Sequence, residues 1–320
     1  MFNHSTILIT GGTGSWGIEL IQQLLSLKPK KIIIFSRNEN SHVLTKRKFD
    51  NDKLQFFIGD IRDRDAMVSA MAGVDYVFHL AALKHVPICE ENPLEAFKTN
   101  VLGTYNVIEG ALQNNVKKVV YVSTDKAADP ANTYGMTKAL GEKLIIHAHE
   151  KSTTTKFFCL RGGNVLGSNG SVLPLFQKQL KEDNKIFITN KKMTRYFVTP
   201  KKAIEVLLQA CEIGNGGEIF VMQMKACGIL DLAEVLIEHL QKSNVEILET
   251  GARRGEKLHE VLIAENEVPY AKVLNNDLIQ ISFEALKENN SLPPALLDAT
   301  QSLMTKEEVK TLLLEGNFLK

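Results

Sequence analysis

Residues 10–17 read TGGTGSWG, and no other stretch of the chain limits its fold so tightly. Gly11, Gly14 and Gly17 are spaced GxxGxxG. They follow the apolar run Thr6–Thr10 and open the segment Ser15–Leu27, where Ile18, Ile21, Leu24 and Leu25 share one helical stripe. In a strand-to-helix turn the first glycine permits the tight turn and the second lets backbone approach a pyrophosphate. The third lets helix and strand pack closely. The helix start offers unpaired N–H groups and the positive end of its dipole to phosphates. A dinucleotide site is therefore expected at this turn, with Thr13 and Ser15 beside the glycines and Trp16 packing against the cofactor.

The rest of the first half agrees. Lys31–Ser36 (KIIIFS) has the apolar core of a parallel strand buried on both faces. Leu54–Asp60, Asp75–Ala82 and Lys117–Thr124 repeat that style, with helix-compatible segments between them. The alternation predicts a doubly wound parallel sheet, a Rossmann α/β fold. Further strands are expected at Lys156–Leu160, Glu218–Gln223 and Val245–Glu249, and helices at Val172–Glu182, Leu230–Gln241 and Thr305–Leu314. Gly162, Gly163, Gly167 and Gly170 mark a change of character after the sixth strand. Residues 1–165 and 197–224 read as the nucleotide-binding domain. Residues 166–196 and 225–320 read as a smaller, interleaved substrate-binding lobe, and 320 residues suffice for both.

Composition closes off several classes. With 38 basic and 37 acidic residues there is no clustered positive excess for nucleic acid. Cys89, Cys159, Cys211 and Cys227 form no CxxC pair and read as reduced, buried thiols of a cytoplasmic protein. His79, His85 and His259 lack HxH or HExxH spacing, so no metal is expected; His79 reads as a strand residue with a satisfied side chain. The N-terminus lacks the features of a signal peptide, and no run approaches the roughly 18 apolar residues of a membrane helix.

The second strand ends in Ser36-Arg37-Asn38, where NAD enzymes place an acid. The Arg37 guanidinium suits a 2′-phosphate instead, which favours NADP. Asp60-Ile61, ending the third strand, is expected to meet the adenine. Ala81, Ala82 and Lys84 end the fourth, where small residues let the chain pass close to the cofactor.

Residues 121–138 read YVSTDKAADPANTYGMTK. Tyr134 and Lys138, four apart, share a helix face. An ammonium beside a phenol lowers its pKa. Such a tyrosine can take a hydroxyl proton while hydride leaves the same carbon, and Thr124 can hydrogen-bond the same sugar oxygen.

These residues carry a resemblance to the extended short-chain dehydrogenases/reductases, covering about the first 280 residues. HLAALKHVP (79–87), FKTNVLGT (97–104), STDKAADPANTYGMTK (123–138), GNVLGSNGSVLP (163–174), MTRYF (193–197) and RRGEKLHE (253–260) narrow it. They are similar to the UDP-N-acetylglucosamine 4,6-dehydratases, above all the soluble, C5-inverting group that keeps a tyrosine at the Tyr134 position.

The resemblance implies a UDP-linked N-acetylhexosamine substrate, NADP that stays bound, and a homo-oligomer. It adds Asn100 to the cofactor residues. Asp125-Lys126 becomes informative within the superfamily, because loss of water across C5–C6 needs an acid and a base. Lys126 is the expected C5 base, kept neutral by burial or by Lys138, and Asp125 the expected acid for the 6-hydroxyl. Arg195 and Arg254 suit the phosphates, while Lys84, Asn164 and Glu256 suit phosphate or sugar groups; Lys225 is a weaker candidate. The chain departs from the family pattern at Gly162, where a tyrosine is usual, and at Arg254, where RPGEK has proline. Rival readings are a C5-retaining dehydratase, a UDP-hexose 4-epimerase or 4-reductase without need of Asp125-Lys126, and a non-catalytic NADP-binding regulator.

Overall fold

A computed structural model describes residues 1–168, 170–283, 292, 299–301 and 303–319. Short apolar strands alternate with helices because each strand must bury both faces. In chain order these are β1 (Thr6–Thr10), α1 (Ser15–Ser26), β2 (Lys31–Ser36), α2 (Glu39–Phe49), β3 (Leu54–Ile58), α3 (Arg64–Ala70) and β4 (Tyr76–His79). There follow α4 (Val86–Glu91), α5 (Pro93–Phe97), α6 (Gly103–Gln113), β5 (Lys118–Thr124), α7 (Thr133–Lys151) and β6 (Lys156–Gly162). The later part holds β7 (Asn164–Val165), α8 (Val172–Glu182), β8 (Lys185–Ile188), β9 (Thr194–Val198), α9 (Pro200–Ile213) and β10 (Glu218–Met222). Last come β11 (Ala226–Gly228), α10 (Ile229–His239), β12 (Glu246–Glu249), β13 (Ala271–Val273), β14 (Leu278–Ser282) and α11 (Lys306–Glu315).

The main sheet runs β3-β2-β1-β4-β5-β6-β10 with all neighbours parallel. β14 and then β13 extend it antiparallel beyond β10. This is the doubly wound Rossmann sheet expected from the alternation. The strand order reverses between β1 and β4, so the crevice past their carboxyl ends is where such a sheet takes its ligand.

Two apolar cores form. The larger lies around the main sheet, with Ile9, Phe35, Phe78 and Val120 fully buried. The smaller joins α8, β8, α10 and α11 through Leu173, Phe176, Ile186, Leu232, Leu236 and Leu313. Leu313 thus belongs to this core, whereas Leu314 is half exposed. The sequence reading places residues 225–320 wholly in the second lobe. In the structure Ala271, Leu278, Ile279 and Ile281 instead pack in the main-sheet core, because β13 and β14 pair onto it. Helix α9 lies outside the elements read from sequence, although Thr199 caps it, Pro200 starts it, and Ala203, Ile204, Leu207 and Ala210 form its buried stripe.

One buried polar network ties these parts together. Arg161, fully enclosed at the end of β6, holds Glu142 of α7 at 2.7 and 3.1 Å, both oxygens of Glu267 at 2.8 and 2.9 Å, and the Leu262 carbonyl at 2.9 Å. It clamps α7 to the segment after residue 260.

Candidate active site

The glycine turn has the form its spacing implies. Gly11 adopts φ +68°, and a Cβ there would sit 2.9 Å from the Ala81 backbone. A Cβ on Gly17 would lie 2.2 Å from the Gly12 carbonyl oxygen, so only glycine lets α1 pack on this turn. Gly14 caps α1 without a side-chain bond, and the first turn of the helix carries no acid. Backbone N–H groups and the positive helix end are therefore available to an anion.

A cavity of about 730 Å³ runs from this turn across the carboxyl ends of the strands. Gly11, Thr13, Gly14, Ser15, Trp16, Ser36, Arg37, Ile61, Ala81, Ala82 and Lys84 line it. The Ser36 hydroxyl lies 3.0 Å from that of Thr13 and 2.8 Å from His42 Nε2, fixing the end of β2 against the turn. The Arg37 side chain is half exposed, 3.6 Å from Asp60. This cradle fits a dinucleotide, with backbone for the pyrophosphate and a guanidinium at the ribose end.

Two expected cofactor contacts are placed differently. Asp60 turns from the cavity to Arg62, at 2.7 Å, and to Arg37. Asn100 is buried in a π-helical turn (Lys98–Leu102), where it accepts from the Leu83 amide at 2.8 Å and donates to the Leu83 carbonyl and the Thr137 hydroxyl. It braces the 81–84 segment against α7.

Thr124, Lys126, Tyr134 and Lys138 converge on the same cavity from β5, the turn after it, and α7. Asn132 caps α7 through the Gly135 amide, which places Tyr134 and Lys138 within its first turns. Burial pushes the Lys138 ammonium down to about 7, with Glu142 opposing. Its Nζ donates to the Val122 carbonyl at 2.7 Å and lies 3.7 Å over the Tyr121 ring. Burial also lifts the Tyr134 phenol to about 12, against the lowering effects of Lys126 and the Thr124 hydroxyl. Lys138 does not lower the Tyr134 phenol as expected, because its Nζ is directed at Val122 and Tyr121.

The Asp125-Lys126 pair corrects the sequence reading twice. Lys126 Nζ lies 3.0 Å from Asp125 and 3.4 Å from Glu260. Burial lowers its pKa, but these two carboxylates outweigh burial and hold it above the usual lysine value. The expected neutral lysine is an ammonium here. Asp125 does not line the cavity. Its side chain has no exposed surface, and Oδ1 accepts from Thr124 at 2.8 Å and from Lys126 at 3.0 Å. Its Oδ2 is buried with no hydrogen-bond partner among the described residues.

At the far end Asn164, Arg195 and Glu256 line the cavity, together with Arg253 and Glu260, which sequence reading did not single out. Arg195 is buried, donates to the carbonyls of Thr194, Leu258 and Lys257, and lies 3.5 Å from Glu256. Arg254 points outward, 91% exposed and 3.7 Å from Glu90, so its neighbour Arg253 takes the inward place. Lys225 is turned to Glu308, outside this cavity. At Gly162 a Cβ would come 3.1 Å from Met222 Sδ, so Met222 occupies the adjoining space. His79 is satisfied as expected, 2.7 Å from the Thr10 hydroxyl and 3.0 Å from that of Thr104, and burial lowers its pKa to about 3.

Residues 7–281 match the family described as "Polysaccharide biosynthesis protein". The chain is 43% identical to a UDP-N-acetylglucosamine 4,6-dehydratase (inverting) of Campylobacter jejuni, over 83% of this chain and 80% of the relative. It is 40% identical to a UDP-glucose 4-epimerase of Rickettsia rickettsii, over 100% of this chain and 98% of that one. The X-ray structure of Pen from Bacillus thuringiensis, 39% identical, superposes with a TM-score of 0.94 over the whole of both chains. On the family match and these identities, the chain belongs to the polysaccharide biosynthesis protein family, with the fold of the extended short-chain dehydrogenases/reductases.

Proposed function

We propose that this enzyme is an NADP-dependent UDP-N-acetylglucosamine 4,6-dehydratase that inverts C5. The reaction would oxidise C4, lose water across C5–C6 and reduce C6, giving UDP-2-acetamido-2,6-dideoxy-L-arabino-4-hexulose. One observation carries the reading: a lysine held between two carboxylates lies on the cavity wall beside Thr124 and Tyr134. Moving a hydride at C4 alone needs no such group, whereas elimination needs proton transfers at C5 and at the 6-oxygen.

A bound nicotinamide supplies the hydride acceptor and donor for the cycle. The glycine turn and the α1 N-terminus would hold its pyrophosphate, and Arg37 would meet a 2′-phosphate. Tyr134, as the phenolate, would take the O4 proton, and the Thr124 hydroxyl would orient that oxygen. Lys126, once its ammonium proton has been given up, would remove the C5 proton, which the C4 ketone has acidified. Asp125, bonded to both Thr124 and Lys126, holds them in place from behind the wall. Arg253 and Arg195, both on the cavity wall, would face the diphosphate end of the substrate.

A UDP-hexose 4-epimerase is the second reading, favoured by the Rickettsia relative. Incubation with UDP-N-acetylglucosamine separates the two. Tyr134→Phe should show no nicotinamide reduction. Lys126→Ala should oxidise C4, stall and accumulate reduced cofactor. Wild-type turnover in Lys126→Ala would remove Lys126 as the base.

A further inference from the structure

We infer that His42 is a positioning residue for cofactor choice: it makes the Ser36 hydroxyl a hydrogen donor toward the ribose end of the cavity, where a 2′-phosphate would lie. The inference deepens the NADP reading and rests on it. Thr13, Ser36 and Arg37 line that end of the cavity, whereas His42 lies behind it on α2, buried. The helix start brings the ring there. Asn38 caps α2 by accepting from the Ser41 amide, and the His42 amide closes the first turn onto the Asn38 carbonyl. The imidazole then packs edge-on to Phe56 of β3, 5.6 Å between ring centres.

His42 Nε2 lies 2.8 Å from the Ser36 hydroxyl oxygen and 3.0 Å from the Ser36 carbonyl oxygen. A carbonyl can only accept, so Nε2 carries the ring hydrogen and donates to both. The other ring nitrogen, Nδ1, is buried with no hydrogen-bond partner among the described residues. Buried polar atoms are rarely left bare. The ring is therefore placed for what Nε2 does at Ser36, not to complete a network of its own.

A hydroxyl has one hydrogen and two acceptor positions. His42 fills one acceptor position of Ser36. The Thr13 hydroxyl, 3.0 Å from Ser36 Oγ, can donate to the second. The Ser36 hydrogen is then left for a ligand, and Ser36 has no lone pair to offer it. A phosphate dianion only accepts, and a bond to it is charge-assisted. A ribose 2′-hydroxyl is held in NAD enzymes by an acid that accepts from it, a part that Ser36 bonded in this way cannot play. Arg37 thus supplies charge at the ribose end, and His42, acting through Ser36, supplies direction.

The test titrates the full chain and its variants with NADP and with NAD and compares the ratio of the two affinities. His42→Leu should weaken NADP about tenfold. Its NAD affinity should move by less than about threefold, which also reports an intact fold. His42→Gln, whose amide can donate at the same place, should keep most of the preference for NADP. Ser36→Ala should lose the preference as His42→Leu does, and adding His42→Leu to Ser36→Ala should change the ratio little further. Equal weakening of both cofactors by His42→Leu would make the residue merely structural and overturn the inference. An unchanged ratio in His42→Leu, or losses that add in the double variant, would overturn it as well. A wild type that prefers NAD contradicts the NADP reading itself, and this inference falls with it.

Discussion

Two buried cations of this chain each lie between two carboxylates: Arg161 between Glu142 and Glu267, and Lys126 between Asp125 and Glu260. Their charges match, but their bonding does not. Arg161 is 1% exposed, and its nitrogens make five hydrogen bonds, all at 2.7–3.1 Å. Lys126 is 14% exposed, with one bond at 3.0 Å, a looser contact at 3.4 Å, and an unpartnered Asp125 oxygen behind it. A saturated cluster is locked and serves the fold. One left short of partners at a cavity wall can still move protons.

Stability measurements on the two cations should break this comparison if it is wrong. Arg161→Ala strands two buried carboxylates and should cost about 3–5 kcal/mol in denaturant unfolding. Lys126→Ala strands Asp125 behind the wall but leaves Glu260 on a cavity that water can enter, so it should cost less than Arg161→Ala. Equal losses would mean that both clusters are structural.

His79 extends the contrast to a single satisfied group. The folded protein keeps its imidazole neutral down to about pH 3, whereas the unfolded chain protonates it near 6.5. Below 6.5 the unfolded state therefore binds the extra proton, and stability falls with pH until about 3. His79→Asn should remove a slope of up to about 1.4 kcal/mol per pH unit in that window. Identical acid-side slopes in variant and wild type would contradict the assignment.

Much of the site was legible because it is local. Glycine spacing after a strand, the four-residue step from Tyr134 to Lys138 and the strand-end residues are all set by one turn of backbone. What sequence missed depends on distant chain segments. Nothing around Glu260 shows that it meets Lys126, and nothing around Arg161 shows that it reaches both Glu142 and Glu267. Arg253 and Arg254 are equivalent until the loop, with Gly255 at φ +74°, turns one inward and the other out. The charge of Lys126 was misjudged for the same reason: burial could be guessed, but not its second carboxylate.

The cofactor end offers a smaller effect, because Arg37 is half exposed. Arg37→Asp should weaken NADP by about tenfold relative to NAD, read by titration of each. A wild type that prefers NAD would overturn the assignment of Arg37 to the 2′-phosphate.

The most direct test of the central claim is to run the enzyme on UDP-N-acetylglucosamine in deuterated water under proton NMR. The account predicts deuterium at C5, conversion of the 6-hydroxymethyl group to a methyl, and early H5 couplings of the L-arabino ring. A D-xylo product forming first would keep the dehydratase and reverse its stereochemistry; an unchanged 6-hydroxymethyl group with no deuterium at C5 would contradict the account.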